Sequence, residues 1–192
     1  MKITASFFIA LGAGLAIAGM PGAVDDIEKL STSKPPVVAV GHDLSVAVIF
    51  PSENTAQLVV FRHNKEEARS SPFELVSSAN YGAAWVEQVE LKSASSFSVY
   101  MRTRQTCGPG IYDYSFAHRN GSWVVSGLER SESECSGEGV APAWRKSYNY
   151  LTGRVETVQF RNERQRTTGK PKGNFLPHSL AEFEALSTRY EQ

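Results

Sequence analysis

Asn120-Gly121 stands between two runs in which apolar and polar residues alternate, Ile111–Arg119 and Ser122–Arg130. Asn-Gly supplies the two left-handed residues of a type I′ turn, whose twist matches that of paired strands, so the segment reads as a β-hairpin. A two-residue loop dictates the register: Arg119 faces Ser122, His118 faces Trp123, Phe116 faces Val125 and Tyr114 faces Gly127. One face then collects Tyr112, Tyr114, Phe116, Trp123 and Val125, and the other Asp113, Ser115, Ser126 and Arg130. A slip of one residue would exchange the faces, so the pattern specifies both the pairing and the buried side. Tyr114 opposite Gly127 lets a ring cover bare backbone.

The same register bears on the two cysteines. Cys107 would face position 134, one step from Cys135, so both lie at the foot of this hairpin, where Gly108-Pro109-Gly110 must bend the chain. A disulfide between Cys107 and Cys135 is expected; a catalytic thiol is the alternative, but it would leave an odd cysteine and no identifiable base.

Other runs read as short strands. Val37–Val40 and Leu44–Phe50 are rich in Val and Ile, and Gln57–Phe61 follows the turn-like Pro51-Ser52-Glu53-Asn54. Trp85–Leu91 and Phe97–Arg102 alternate as half-buried strands do. Ser147–Phe160 reads as a second hairpin with Thr152-Gly153 at its tip. Lys65–Pro72 reads as a charged loop, 161–176 as a basic loop, and residues 24–36 as a polar lead-in with one helical turn. At the C-terminus Ser179 and Glu182 have the spacing of a capping box, with Leu180, Phe183 and Leu186 on one face of a short amphipathic helix. The expected fold is mainly β: an antiparallel sheet of short strands and hairpins with that helix at the end, in a single domain over 24–192.

From Tyr112 the run YDYSFAHRNGSWVVSGLE, followed by SYNYLTGRVE, resembles a loose group of uncharacterised bacterial envelope proteins. Their pattern is an aromatic strand, a turn, a Trp-containing strand ending near Gly, then a "SYN-LTG-K/R" hairpin. Trp123, Gly127, Ser147, Asn149, Leu151, Thr152 and Gly153 match it, within residues 112–156. The resemblance implies an envelope location and β architecture, and no activity. Such proteins often carry an acidic, calcium-like loop near the first strands. Here Val40-Gly41-His42-Asp43-Leu44 has one carboxylate, too few for calcium.

The N-terminus reads as a secretory leader over 1–23. Lys2 precedes an apolar run, Phe7–Ile17, too short to span a bilayer, and small residues offer cleavage after Ala18 or Ala23. Ala23 is preferred because Asp25, Asp26 and Glu28 follow at once; the competing reading is a core helix. No cysteine follows the apolar run before Cys107, so a lipid anchor of the common bacterial kind is not expected, nor is a later membrane span. The expected location is the periplasm.

Net charge is zero, which gives no global electrostatic case for nucleic acid or anionic lipid. His42, His63, His118 and His178 show no metal-ligand spacing, so neither metal nor cofactor is expected. His118 reads as a side chain packed on Trp123, and His42-Asp43 either as solvated turn residues or as half of an acid–base pair. No activated-serine, phosphate-loop or dinucleotide motif occurs, and the serines lie in polar runs such as Ser93-Ala94-Ser95-Ser96. Charge is segregated: Glu129, Glu132, Glu134 and Glu138 oppose Arg130 alone, while Arg154, Arg161, Arg164, Arg166, Lys170 and Lys172 outnumber Glu156 and Glu163. Such patches orient and steer partners. Arg161, Arg164, Arg166, Lys170, Glu129, Glu132 and Glu134 are therefore the candidate partner-binding residues, with no catalytic residue assigned. The expectation is a non-enzymatic binding protein, an immunity or inhibitor protein acting on another envelope protein such as a toxin or hydrolase. A hydrolase without familiar motifs and an envelope assembly factor are the alternatives.

Overall fold

A computed structural model describes residues 23–77, 82–105, 107–136, 139–161, 164–168 and 177–190. The expected leader lies outside the described residues, apart from Ala23, which opens helix α1 (Ala23–Leu30). The first sheet holds β1 (Val37–Val40), β2 (Leu44–Ser52), β3 (Thr55–Arg62) and β4 (Lys65–Arg69) in that order, with β5 (Phe73–Glu74) also on β3. The second is a nine-stranded meander: β6 (Val76–Ser77), β7 (Gly82–Ser93), β8 (Ser96–Gln105), β9 (Gly108–Arg119), β10 (Ser122–Ser136), β11 (Gly139–Asn149), β12 (Arg154–Arg161) and β13 (Arg164–Thr168), with β14 (His178–Ser179) on β10. Every pairing among the described residues is antiparallel, and strands far outnumber helices there, so the fold is mainly β, as expected.

The layers follow from which strands have a wet face. Leu44 to Phe50 of β2 are all buried, because Val46, Val48 and Phe50 meet the second sheet while Ala47 and Ile49 meet Ile27 of α1. A strand covered on both sides loses alternation and shows as a Val/Ile run. In β9, by contrast, Tyr112, Tyr114 and Phe116 are buried while Asp113 and Ser115 between them are not, because only its inner face is covered.

The Asn120-Gly121 hairpin has the expected register from Ser122↔Arg119 to Val125↔Phe116, and both turn residues have positive φ. Beyond Val125 it differs. A bulge at Ser126 shifts the pairing by one, so Tyr114 faces Leu128 and Ser115 faces Gly127. The bulge lies where β10 exchanges β14, paired at Val124 and Val125, for β11, paired from Gly127 onward. Close approach dictates the glycine: a Cβ on Gly127 would stand 2.9 Å from the Tyr148 carbonyl oxygen. The shift also turns Arg130, expected on the wet face, to the inner one, where it is 8% exposed. Its guanidinium lies 5.3 Å from the Tyr112 ring and 5.1 Å from the Trp144 ring, and it pairs with Glu132. The same shift carries Cys107 toward Cys135, and the two form the expected disulfide, with Cα atoms 5.0 Å apart.

Three further expectations are corrected. Lys65–Arg69 is strand β4, because His63 and Asn64 take the left-handed conformation (φ 48° and 64°) and turn the chain without glycine. Its charges suit an edge strand. The basic segment 161–176 contains β13, paired with β12 from Arg161↔Arg164 to Thr157↔Thr168. The C-terminal segment is two 3-10 turns, Leu180–Glu182 and Thr188–Tyr190, and Ser179 makes no side-chain cap. Tertiary packing overrides the helical pattern there. Phe183 is extended and sits 5.0 Å from the Phe73 and Tyr114 rings and 5.1 Å from Phe116. The Leu186 amide donates to the Tyr114 hydroxyl at 2.8 Å, and the Tyr150 hydroxyl donates to the Tyr190 carbonyl at 2.6 Å. Tyr114 of β9 and Tyr150, just past the end of β11, thus bind backbone groups of this segment.

Candidate functional site

The outer face of the second sheet carries cross-strand rows, since directly paired residues share a face. One row runs Tyr100, Asp113, Glu129, Ser147, Glu156, and the next Ser98, Ser115, Gly127, Asn149, Arg154. The bare Gly127 and the bulged Ser126 interrupt these rows and leave an open groove of about 380 Å³. Ser115, Ser126 and Ser147 line it with hydroxyls, Asp113 and Glu129 with carboxylates, and Asn149 and Leu151 border it. Asn149 is held by its own turn: its Oδ1 accepts from the Leu151 and Thr152 amides at 3.1 and 3.0 Å.

The two carboxylates differ. Burial pushes Asp113 above the usual carboxylate range; Lys92 opposes that rise, Glu129 adds to it, and a hydrogen bond from Ser98 opposes it again. Its Oδ1 is shielded from solvent and accepts no hydrogen bond among the described residues. Glu129 is half exposed, with Arg145 at 3.9 Å. The groove therefore sets a half-buried carboxyl with one unsatisfied oxygen beside Glu129 of the neighbouring strand. It suits a ligand that brings a cation or several hydrogen-bond donors.

Asp113 should thus cost the unliganded protein stability. A carboxyl whose folded pKa is raised favours the fold below its unfolded pKa, and that contribution is lost as pH rises through the folded value. Asp113→Asn is expected to raise the melting temperature at pH 7, and the gain should fade as pH falls to the ordinary carboxylate range near ~4. Melting curves at the two pH values check this; a variant less stable than wild type at pH 7 refutes it.

The structure disperses the other candidate residues. Glu129 lines the groove, but Glu132 pairs with Arg130 on the inner face, so the strand pleat splits the contiguous acidic run. Glu134 is exposed opposite Ala141. Arg161, Arg164 and Arg166 lie on the hairpin β12–β13 at the sheet edge, Arg161 opposite Arg164 and Arg166 opposite Gln159. Through Gln159 and Trp144, Arg166 shares a cross-strand row with Glu132, with β11 and β12 between them. Lys170 lies outside the described residues.

The fold also gathers histidines that sequence spacing leaves apart. The β1–β2 and β3–β4 turns are neighbours because Leu44 pairs with Arg62, and the His63 amide donates to the Asp43 carbonyl at 3.0 Å. His42 Nδ1 and His63 Nδ1 lie 2.7 and 3.5 Å from the same Asp43 Oδ1. The hydrogen bond from His42 is the main cause that holds Asp43 below the ordinary carboxylate range. Nearby, Glu67 accepts from Trp123 Nε1 at 2.8 Å and Arg62 Nε at 2.9 Å, with His118 Nε2 at 3.9 Å. Burial alone would raise Glu67, but these two donors outweigh it and keep the pKa low. His118 packs edge-on against Trp123 at 5.3 Å. His178 stands against the Tyr190 ring, and burial lowers its pKa. Among the described residues no helix is long and apolar enough to cross a membrane. No family model, no curated protein and no solved structure matches this chain.

Proposed function

We propose that this chain is a soluble periplasmic binding protein without chemistry of its own. More concretely, it is an immunity or inhibitor protein that blocks an envelope-acting toxin or hydrolase by protein–protein contact. The observation that carries this reading is Asp113: a half-buried carboxyl with an unsatisfied oxygen, set in an open groove beside Glu129 on a disulfide-tied sheet. A shielded acceptor costs the free protein stability and gains a partner when a Lys or Arg side chain docks. Inserted cationic and aromatic side chains are the usual anchors of such interfaces. The basic edge at Arg161, Arg164 and Arg166 adds steering toward an acidic region of the same partner.

The test starts from capture in periplasmic extract and continues with the purified captured protein. Asp113→Asn and Glu129→Gln together are expected to speed its dissociation at least tenfold. Replacing Arg161, Arg164 and Arg166 with Glu should slow association and weaken its salt dependence, while the fold survives. Turnover of a cell-wall, lipid or ester substrate by the pure protein, abolished by Asp113→Asn or Glu129→Gln without unfolding, would replace binding with hydrolysis. A pair of carboxyl groups is what hydrolysis of a cell-wall glycosidic bond requires.

A further inference from the structure

We propose that the inner face of β11, β12 and β13, past the point where the core ends, binds an extended segment of a partner protein whose acidic residues occupy alternate positions. The inference deepens the binding reading above and rests on it for the partner. Directly paired residues share a face, so the rows of β11 and β12 show where the cover ends. Tyr148 and Val155 are paired and lie in the core, 5% and 6% exposed. One row on, Lys146 and Thr157 are half-buried; in the next, Trp144 is half-buried and Gln159 exposed. The pairings Gln159↔Arg166 and Arg161↔Arg164 place these arginine positions on the same face, because Arg161 is two positions from Gln159 and Arg164 two from Arg166.

The cations fall on successive rows: Lys146 with Thr157, then Arg166 with Gln159, then Arg161 with Arg164. Rows two residues apart are separated by about 6.6 Å along the strands. Alternate side chains of an extended peptide repeat at the same ~6.6 Å, so a segment laid along these strands brings one carboxylate to each row. The floor beneath is aromatic and held in place. The Trp144 ring has the Lys146 ammonium at 5.2 Å and the Arg130 guanidinium at 5.1 Å, and Arg130 lies 5.3 Å from the Tyr112 ring. Arg130 already binds a carboxylate of the chain itself, that of Glu132. Among the described residues Lys146 has no carboxylate at ion-pair distance. Glu156 does not neutralise the patch, because it is paired with Ser147 on the opposite face of the sheet. Charge complementarity on this face therefore selects an acidic occupant.

The experiment is fluorescence anisotropy of two labelled, end-capped peptides of one composition, titrated with the purified protein: four Glu-Thr repeats, and four Glu followed by four Thr. The alternating peptide is expected to bind at least fivefold more tightly than the block peptide, which presents only half its carboxylates to one face. Its affinity should fall as salt rises. Lys146→Met and Arg166→Gln should each weaken it at least fivefold. Lys92→Met, at a cation paired with Glu90, and Asp113→Asn, in the outer groove, should leave it unchanged. Lys146 is half-exposed and Met keeps its stem on the Trp144 ring, so circular dichroism should report an intact fold. The assay needs no captured partner and does not involve the groove, so its failure leaves the Asp113–Glu129 reading standing, and a failed capture leaves the peptide result standing. No binding of the alternating peptide at 1 mM, equal affinity for the two peptides, or Lys146→Met and Arg166→Gln without effect overturns the assignment. Binding to phosphatidylglycerol vesicles but to neither peptide also overturns it and gives the face to a lipid surface.

Discussion

Trp123→Ala is expected to destabilise the protein by about 3–5 kcal/mol, the cost of deleting a large buried aromatic and leaving a cavity. The indole is 3% exposed and sits 5.2 Å from the Phe97 ring, which is itself stacked on Phe116 at 4.7 Å. It also links the two sheets, since its Nε1 donates to Glu67 of β4, a neighbour 56 positions away. Trp123→Phe separates the two contributions: it keeps most of the ring volume and loses that hydrogen bond to a carboxylate, for about 1.5–3 kcal/mol. Ser115→Ala, on the wet face of the same hairpin, should stay within about 0.5 kcal/mol of wild type. Denaturant unfolding of the three variants gives the comparison. Equal, small effects for Trp123→Ala and Ser115→Ala would mean that the hairpin pairs differently.

The hairpin was legible because each of its strands has one wet and one dry face, so the alternation of Tyr112, Tyr114 and Phe116 with Asp113 and Ser115 appears directly in the sequence. The bulge was less plain. A glycine inside a strand signals one, and the buried hydrophobic side chains of β10 step by three, from Val125 to Leu128. The two-residue loop specifies pairing only near the turn, and it says nothing of the exchange of β14 for β11 that displaces Ser126. β4 was hidden because His63-Asn64 makes a left-handed turn without glycine. The C-terminal segment has the spacing of a capped helix, yet Phe183 is drawn into an aromatic cluster, the Tyr114 hydroxyl accepts from the Leu186 amide and the Tyr150 hydroxyl donates to the Tyr190 carbonyl.

The sites were less legible than the strands for a related reason. Glu129, Glu132 and Glu134 look like one patch in sequence, but a pleated strand sends Glu129 and Glu132 to opposite sides. The groove exists because of a missing side chain at Gly127 and one extra residue at Ser126, features that leave no chemical motif. Asp43 and His63 are 20 positions apart and become neighbours only through the Leu44↔Arg62 pairing. Once Pro51–Asn54 is read as the turn joining β2 to β3, that proximity follows.

Loss of the Cys107–Cys135 bond should be the second large effect. The bond joins residues 28 positions apart, for which chain-entropy reasoning gives about 3–4 kcal/mol. That figure is an upper one, because the β9–β10 hairpin lies inside the loop and already holds its ends together. The loss should also be local. At this end of the second sheet Val140 is 61% exposed, and the inner face is held by the Tyr112–Arg130–Trp144 stack rather than by an aliphatic core. Reduction is therefore expected to lower the melting temperature and to speed amide exchange first in residues 131–144. The Trp123 region should exchange at its former rate until global unfolding. Thiol labelling of native, unreduced protein should find no free cysteine. Two labelled thiols would deny the bond, and uniform acceleration of exchange across β9 and β10 would show that it supports the whole sheet rather than its end. If reduction leaves the melting temperature unchanged, the cation–aromatic stack and the hairpin hold this end alone. Arg130→Met, which removes the charge and keeps the stem, should then lower the melting temperature where reduction does not.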